Sequence, residues 1–371
     1  MKQKELVLVT GGAGFIGSHL VDALIAHGYR VRVLDNLSPP THNSKLPDWF
    51  NKKAEFIKGD VSLKKDWHGA LIGVDYVFHL AAYMDYHLDF SKYFVTNVSS
   101  TALLYETIVE YKLVVKKIII ASSQSIYGEG KYVCGKHGVF YASPRTESQL
   151  RKHLWDIRCP RDNKLAKALP QEETDQLHPQ IPYAIAKAAA EQLGLTLGST
   201  YWIPTVVLRY SIVQGSRQSF RHFYSGALRD FCVRALNRLP IVMQEDGQQK
   251  RDFVNIHDVT DAHLLVLQNK NTDYQVFNLG SGIETRVIEL AKMVCEVAGT
   301  TFTPEMREEF RINSPHNAIM NIDKFKALGW KPKRSLENSV REYATWVRNY
   351  PEALRFWRKT YKNMRKENIL K

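Results

Sequence analysis

The sequence predicts an α/β fold: a doubly wound parallel sheet with helices on both faces, followed by a smaller C-terminal domain. Three observations carry this. Apolar strand-like runs alternate with helical runs through the first half of the chain. A glycine turn joins the first strand to the first helix. After about Ser211 the rhythm gives way to helices and short loops.

The first element is a strand at Glu5 to Val9, and a helix runs from Ser18 to His27. Between them stands Thr10-Gly11-Gly12-Ala13-Gly14-Phe15-Ile16-Gly17. Strand, glycine turn and helix open a dinucleotide-binding (Rossmann) unit. Gly11 permits the tight turn, Gly14 lets backbone approach a pyrophosphate, and Gly17 lets the helix pack closely on the strand. The helix N-terminus directs its free N–H groups at the phosphates. A second strand, Tyr29 to Leu34, ends at Asp35, which lies 18 positions after Gly17. A carboxylate there accepts both ribose hydroxyls of NAD and repels the 2′-phosphate of NADP. Arg30 and Arg32 sit at the start of and inside that strand, so NAD is the expected cofactor.

Further strands are expected at Lys53 to Lys58, Asp75 to Leu80, Val115 to Ala121 and Ile203 to Leu208, with Gln275 to Gly280 as a returning strand. Asn97 to Tyr111 has helical periodicity. Ligands of such sheets bind beyond the carboxyl ends of the strands. That rule aligns Gly11 to Gly17, Asp35, Asp60, Ala81 and Ser122 to Ser125 on one rim. The expected domains are therefore 1–210, the dinucleotide-binding domain, and 211–371, mainly substrate-binding. Residues 129–173 form an insertion in the first, and 250–282 contribute a segment that returns to it.

Composition narrows the classes. The chain has 371 residues, 44% of them hydrophobic, so it can bury a sizeable core. It contains no apolar run long enough for a transmembrane helix, and its first strand starts too early for a cleavable signal. Four scattered cysteines do not make a disulfide framework, and a cytoplasmic protein is expected. The formal net charge is +13, and the most concentrated basic stretch is the tail from Arg355 to Lys366, where Phe356, Trp357, Tyr361 and Met364 recur at near-helical spacing. That tail is read as a terminal helix docked on the protein's own body with a solvated basic face, with acidic lipid as the alternative. No nucleic-acid-binding signature accompanies the charge, so nucleic acid is not an expected partner.

The chemistry centres on Tyr183-Ala-Ile-Ala-Lys187, preceded by Pro182. Proline suits a helix start, and positions i and i+4 share a helix face. An ammonium beside the phenol is expected to lower its pKa and make Tyr183 an acid/base near neutral pH. The lysine can also bond the nicotinamide ribose. Ser122-Ser123-Gln124-Ser125 ends the fifth strand, where a hydroxyl can hold the reacting oxygen of a substrate beside Tyr183.

These stretches resemble the extended short-chain dehydrogenase/reductase family, specifically its NAD-dependent nucleotide-sugar epimerases and dehydratases. The branch it looks most like is that of dTDP-L-rhamnose 4-epimerase. The resemblance runs through TGGAGFIG, LDNLS at Leu34 to Ser38, GDV at Gly59 to Val61, HLAA at His79 to Ala82 and Asn97-Val98. It continues through SSQSIYG, YAIAK, LRY at Leu208 to Tyr210, RDFVNIHDV at Arg251 to Val259 and FNLGSG at Phe277 to Gly282. It implies a catalytic set of Ser123, Tyr183 and Lys187. It implies cofactor contacts from Gly11, Gly14, Phe15, Ile16, Gly17, Asp35, Asn36, Asp60, Val61, Leu80, Ala81, Ala82, Asn97, Tyr183 and Lys187. It implies a nucleoside-diphosphate sugar as substrate, contacted by Gln124, Arg217, Arg251 and Arg311, and guanidinium forks match phosphate geometry. A homodimer is implied through the helices at Asn97 to Tyr111 and Tyr183 to Ser199.

Departures from the family sharpen the reading. The family's dehydratases carry Asp-Glu after the active-site Ser/Thr, and this chain has Gln124 and Ser125. That favours 4-epimerisation in carbohydrate biosynthesis over elimination of water. A nucleotide-sugar reductase or decarboxylating dehydrogenase is the alternative, and a non-catalytic NAD-sensing protein a remote one. Ile212 stands where relatives have Asn, and Arg311-Ile-Asn-Ser314 replaces an RxGD pattern, which leaves base and sugar open. In the insertion, Cys134-Gly-Lys-His137 and Cys159-Pro-Arg-Asp162 supply four donors that could form a zinc knuckle. The alternative is a loop that kept part of the pattern without the metal. The branch it resembles has Cys where this chain has Asp162.

Overall fold

The computed structural model describes residues 4–42, 44–85, 88–222, 226–367 and 369–371. In chain order the first half runs β1 (Leu6–Thr10), α1 (Phe15–Ala26), β2 (Arg30–Asp35), β3 (Glu55–Lys58), α2 (Lys64–Leu71), β4 (Tyr76–His79), α3 (Phe90–Phe94), α4 (Ser100–Glu110) and β5 (Lys117–Ser123). It continues through β6 (Lys131–Cys134), β7 (Gly138–Tyr141), α5 (Glu147–Arg151), β8 (Lys167–Ala168), α6 (Pro182–Thr200), β9 (Thr205–Tyr210) and β10 (Ile212–Gln214). The remainder is α7 (Gly226–Leu236), β11 (Ile241–Gln244), β12 (Lys250–Asn255), α8 (Ile256–Gln268), β13 (Gln275–Leu279), β14 (Glu284–Arg286) and α9 (Val287–Ala298). Then come β15 (Pro304–Arg307), β16 (Asn317–Ala318), α10 (Asp323–Lys326), α11 (Leu336–Val347) and α12 (Ala353–Lys366).

The chain divides into two compact units. The first comprises 1–123, 182–210 and 256–279. It holds a seven-stranded sheet in the order β13-β9-β5-β4-β1-β2-β3, and all its pairings are parallel. Helices cover both faces of such a sheet, so its strands need apolar side chains throughout. LVLVT of β1 and TVVLRY of β9 are buried at every position. The core gathers Leu8, Leu34, Trp67, Val77, Leu104, Ile118, Ile120 and Val207. Strand order reverses between β1 and β4, which makes their carboxyl ends the place where a ligand crevice opens.

The second unit comprises 124–181, 211–255 and 280–371. Its sheets are small: β10-β12-β14 with β16 beside β12, the pair β11-β15, and β7-β6-β8 within the insertion. Its core joins Leu228, Phe231, Cys232, Leu290, Val294, Val340, Tyr343 and Trp357. The basic tail is α12, docked within this unit. Trp357 Nε1 donates to Asp230 at 2.6 Å, and the Arg234 guanidinium lies 4.6 Å from the Trp357 ring centre. Arg358, Lys359 and Lys362 face outward.

Several boundaries differ from the sequence reading. Helix α1 begins at Phe15 rather than Ser18, because Gly14 is extended and ends the turn. The helical run expected from Asn97 opens with a π-helical turn, Val95–Ser99, ahead of α4. Residues 124–181 group with the second unit rather than with 1–210. The cause is hydrogen bonding: Gln171 N donates to Ile319 O at 2.8 Å, and Arg145 and Glu129 bind the 314–316 backbone. The segment returning to the first unit is 256–279, narrower than 250–282. No helix among the described residues is long and apolar enough to cross a membrane.

Candidate active site

The glycine turn sits at the carboxyl end of β1. Gly11 has φ +69°, and a Cβ there would lie 2.9 Å from Ala81 Cα. A Cβ on Gly17 would lie 2.3 Å from Gly11 O, so only glycine lets α1 start this close to the strand. Ser18 N is the first amide in α1 to find a helical partner, Gly14 O at 2.9 Å. The N–H groups of Phe15, Ile16 and Gly17 precede it, at the positive end of the helix dipole.

Asp35 ends β2 and is buried. Its carboxylate accepts Ala13 N at 3.1 Å and Leu37 N at 2.8 Å. Both bonds hold it against the glycine turn and leave lone pairs on each oxygen. Arg32, the nearest strand cation, is committed elsewhere: it donates to Ala70 O and Ile72 O and pairs with Glu55 at 2.9 Å. Asn36 Nδ2 donates to Asp60 at 2.9 Å. Burial raises the Asp60 pKa, but hydrogen bonds from Ser62 and Asn36 outweigh it and hold the carboxyl below its usual value. Val61 is buried beside it, its carbonyl accepting Trp67 Nε1 at 2.7 Å.

Beyond β4 the segment Leu80, Ala81 and Ala82 is set by a relay absent from the sequence reading. Thr10 Oγ1 accepts the Leu80 and Ala81 amides at 3.1 Å each. Its proton therefore goes to His79 Nδ1 at 2.9 Å, and His79 Nε2 donates to Ser100 Oγ at 2.9 Å. Burial, and then the charge of Lys187, push His79 down to about 3, so it stays neutral. Asn97 continues the brace: its amide accepts Tyr83 N at 2.8 Å and donates to Tyr83 O at 3.0 Å. Both ends of that side chain serve the backbone after Ala82, so Asn97 acts on the crevice through this segment. Thr10 and His79 end adjacent parallel strands in register, the signal that could have found the relay.

Ser123, Tyr183 and Lys187 converge in the same unit. Ser123 ends β5, and Tyr183 and Lys187 lie one turn apart at the start of α6. The Ser123 hydroxyl is hydrogen-bonded to the Tyr183 phenol. Lys187 Nζ donates to Ala121 O at 2.8 Å and lies 6.0 Å from the Tyr183 ring centre. The electrostatics correct the sequence expectation. Burial pushes Tyr183 up to about 12, and the Ser123 hydrogen bond only partly offsets it. Burial also pulls Lys187 down to about 8, which weakens the ammonium that was expected to lower the phenol.

A buried ion pair, also missed in the sequence, locks α6 to the sheet. Glu191, one turn after Lys187, accepts Ser122 Oγ at 2.7 Å and pairs with Arg209 at 2.5 Å. Behind it Tyr210 donates to His263 Nε2 at 2.7 Å, since His263 Nδ1 is used on Val259 O.

The second unit holds Gln124, Arg217, Arg251 and Arg311. Gln124 opens a 3₁₀ turn, and its buried Oε1 has no hydrogen-bond partner among the described residues. Arg217 is half-buried with φ +62°. Arg251 donates to Lys250 O, His316 O and Pro315 O at 2.8–2.9 Å. Burial, and then the neighbouring Arg311 charge, lower Arg251 to about 10. The charges of Glu245 and Glu129 partly offset that repulsion. The 314–316 loop that cradles Arg251 is itself clamped. Arg145 donates to Ser314 O at 2.9 Å, and Glu129 accepts His316 N at 2.7 Å. Arg145 also forms a buried fork with Glu245, at 2.6 and 3.0 Å. Cys134, His137, Cys159 and Asp162 come together in the insertion.

A Rossmann sheet with this glycine turn, a buried Asp35 and a Ser–Tyr–Lys set defines a protein of the short-chain dehydrogenase/reductase class. Its residues fit NAD: the acidic end of β2 suits a free ribose, and Arg32 is already engaged. A sequence model of the NAD dependent epimerase/dehydratase family matches residues 7–153 and 161–280, and the chain belongs to that family. It is 31% identical to the dTDP-L-rhamnose 4-epimerase of Burkholderia thailandensis, over 92% of this chain and 94% of that one. It also resembles the structure of UDP-glucose 4-epimerase with UDP-glucose from Thermotoga maritima (TM-score 0.75, 31% identity, 93% of this chain and 99% of that one). A third relative is the Bacillus cereus UDP-glucuronic acid 4-epimerase in complex with UDP-glucuronic acid and NAD (TM-score 0.76, 26% identity, 93% and 99%).

Proposed function

We propose that this chain is an NAD-dependent nucleotide-sugar 4-epimerase. The observation that carries the reading is the Ser123–Tyr183 hydrogen bond at the end of β5, with Lys187 one turn along α6. Tyr183 takes the proton of the sugar 4-hydroxyl and returns it at the end of the cycle. Ser123 holds the C4 oxygen, donating its hydrogen bond while that oxygen is a carbonyl. NAD held by the glycine turn and Asp35 would supply a reversible hydride acceptor for C4. Lys187 Nζ lies 6.0 Å from the Tyr183 ring centre, and in its protonated form it favours the ionised phenol. Gln124 and Ser125 lack the acid/base groups needed to eliminate water, which supports a redox cycle without net consumption of NAD.

In this reading Arg251, Arg311 and Arg217 take the diphosphate, and Gln124, whose buried carbonyl oxygen has no partner among the described residues, bonds the sugar. A homodimer is part of the same reading. Val109 on α4 and Ile185 on α6 are exposed apolar side chains on the helices expected to pair. A cytoplasmic setting is supported by four cysteines carrying free thiols. The test is incubation with a panel of UDP- and dTDP-hexoses and UDP-hexuronic acids, with NADH added in a parallel arm, followed by NMR. A new 4-epimer without net change in NADH supports the reading. Net NADH consumption points instead to the reductase, loss of CO₂ to the decarboxylating dehydrogenase, and an unchanged panel to the NAD-sensing alternative.

A further inference from the structure

The insertion between β5 and α6 has a weakness that its side chains answer. One buried apolar cluster of the insertion gathers Tyr132, Ala142 and Ile157, with Phe140, Ala166 and Ala168 partly buried around them, and Leu150 is buried as well. A core this small cannot by itself hold a three-stranded sheet and two turns; natural modules of this size add a staple. The two ends of the insertion meet at four donor atoms, Cys134 Sγ, His137 Nδ1, Cys159 Sγ and an Asp162 carboxylate oxygen, all within 4.8 Å of one another.

The separations match one metal. His137 Nδ1 lies 3.6 Å from Cys134 Sγ, 3.3 Å from Cys159 Sγ and 3.7 Å from Asp162 Oδ2. Cys134 Sγ lies 3.9 Å from Asp162 Oδ1. Tetrahedral zinc, with bonds of about 2.3 Å to sulfur and about 2.0 Å to nitrogen or oxygen, has edges of roughly 3.3–3.8 Å. The backbone is arranged for thiolates as well. Cys134 Sγ accepts the amides of Lys136 and His137, and Cys159 Sγ those of Arg161 and Asp162. Each cysteine thus begins a turn that folds its own amides onto the sulfur and brings a second ligand three residues on. Lys164 N donates to Asp162 Oδ1 at 3.2 Å and orients the fourth ligand.

We propose that the insertion holds one structural zinc ion on Cys134, His137, Cys159 and Asp162. Two sulfurs and an imidazole select zinc over magnesium or calcium, which prefer all-oxygen shells. All four positions are filled by the protein, so the site is closed and staples rather than reacts. Binding releases the two thiol protons and leaves Asp162 ionised. This assignment is independent of the reaction proposed above.

The test uses untagged full-length protein grown with zinc and purified under reducing conditions. Elemental analysis is expected to give about one zinc per chain, with Cys134 and Cys159 shielded from a thiol reagent until a chelator is added. Cobalt in place of zinc should show thiolate-to-metal charge transfer and tetrahedral d–d bands. Cys159→Ser should lose the metal, Asp162→Ala should bind it more weakly, and Asp162→Cys should hold it at least as well. Less than about a tenth of an equivalent, with both thiols reactive from the start, overturns the proposal. So does zinc that persists in the Cys134→Ser/Cys159→Ser variant, or a disulfide between the two cysteines. If the variants do not fold, the wild-type metal count and thiol shielding decide alone.

Discussion

Lys187 donates to the carbonyl of Ala121 at 2.8 Å, two residues before the strand delivers Ser123. One side chain thereby fixes the start of α6 against the end of β5, and sets the angle at which Tyr183 meets the serine. The cost is a buried ammonium whose pKa burial lowers to about 8.

That cost predicts a stability effect with a defined sign. The unfolded lysine titrates at 10.5 and the folded one at about 8. Below about 8 both states are protonated and the full penalty of burying the charge acts on the folded protein. Between about 8 and 10.5 the unfolded state binds the extra proton, so stability rises with pH. Lys187→Met is expected to stabilise the NAD-free protein at neutral pH by about 1–2 kcal/mol, after about 1 kcal/mol is lost with the Ala121 hydrogen bond. Turnover should fall sharply. Denaturant unfolding at pH 7 and pH 10 checks this; a gap between wild type and variant that does not narrow at the higher pH contradicts it.

Tyr183→Phe removes the phenolic oxygen and leaves the ring. Epimerisation should slow by about 100- to 10,000-fold while NAD remains bound. Because burial pushes Tyr183 up to about 12, wild-type activity should climb with pH across the neutral range, as the fraction of phenolate grows. Turnover of the variant within a factor of a few of wild type, followed by NMR, would remove Tyr183 as the proton carrier.

Asp35→Ala tests the other end of the crevice. It deletes the acceptor for ribose and frees the amides of Ala13 and Leu37, which the carboxylate now holds. NAD affinity should fall by at least about tenfold, one good charged hydrogen bond's worth. The preference for NAD over NADP should shrink at the same time. Calorimetric titration with both dinucleotides measures the two effects; unchanged selectivity would mean that another group reads the ribose.

What the sequence made legible follows from how local each signal is. The β1 strand, the glycine turn and α1 are contiguous, and the run TGGAGFIG admits few other conformations. Pro182 and the Tyr183/Lys187 spacing located the start of α6 for the same reason. The second unit was harder, because β10, β14 and β16 are two or three residues long and gain their hydrogen bonds only from distant partners. Glu191 and Arg209 look like ordinary polar residues of a helix and a strand until the sheet brings them together. The direction of the Tyr183 shift was misread because sequence shows the lysine four residues away, whereas burial of both groups is a property of the packed fold.

Arg145 provides the most discriminating test of how the arginine pair is held. Its fork to Glu245 is buried on both sides. Burial raises the Glu245 carboxyl, but hydrogen bonds from His316 and Arg145 outweigh it and hold the group at about 2. Arg145→Met leaves that carboxylate buried and half-paired, which should cost about 3–5 kcal/mol of stability. It also releases Ser314 O, the first carbonyl of the loop whose next two carbonyls grip Arg251. The double variant Arg145→Met/Glu245→Met removes both charges, and such replacements are often neutral or stabilising. Stability should therefore return in the double variant while the released loop does not. KM for the nucleotide sugar should stay raised in both variants, with kcat much less affected, because the proposed role of Arg251 is to take the diphosphate, away from the reacting carbon. Recovery of KM together with stability would show that Arg145 supports only the fold of its unit.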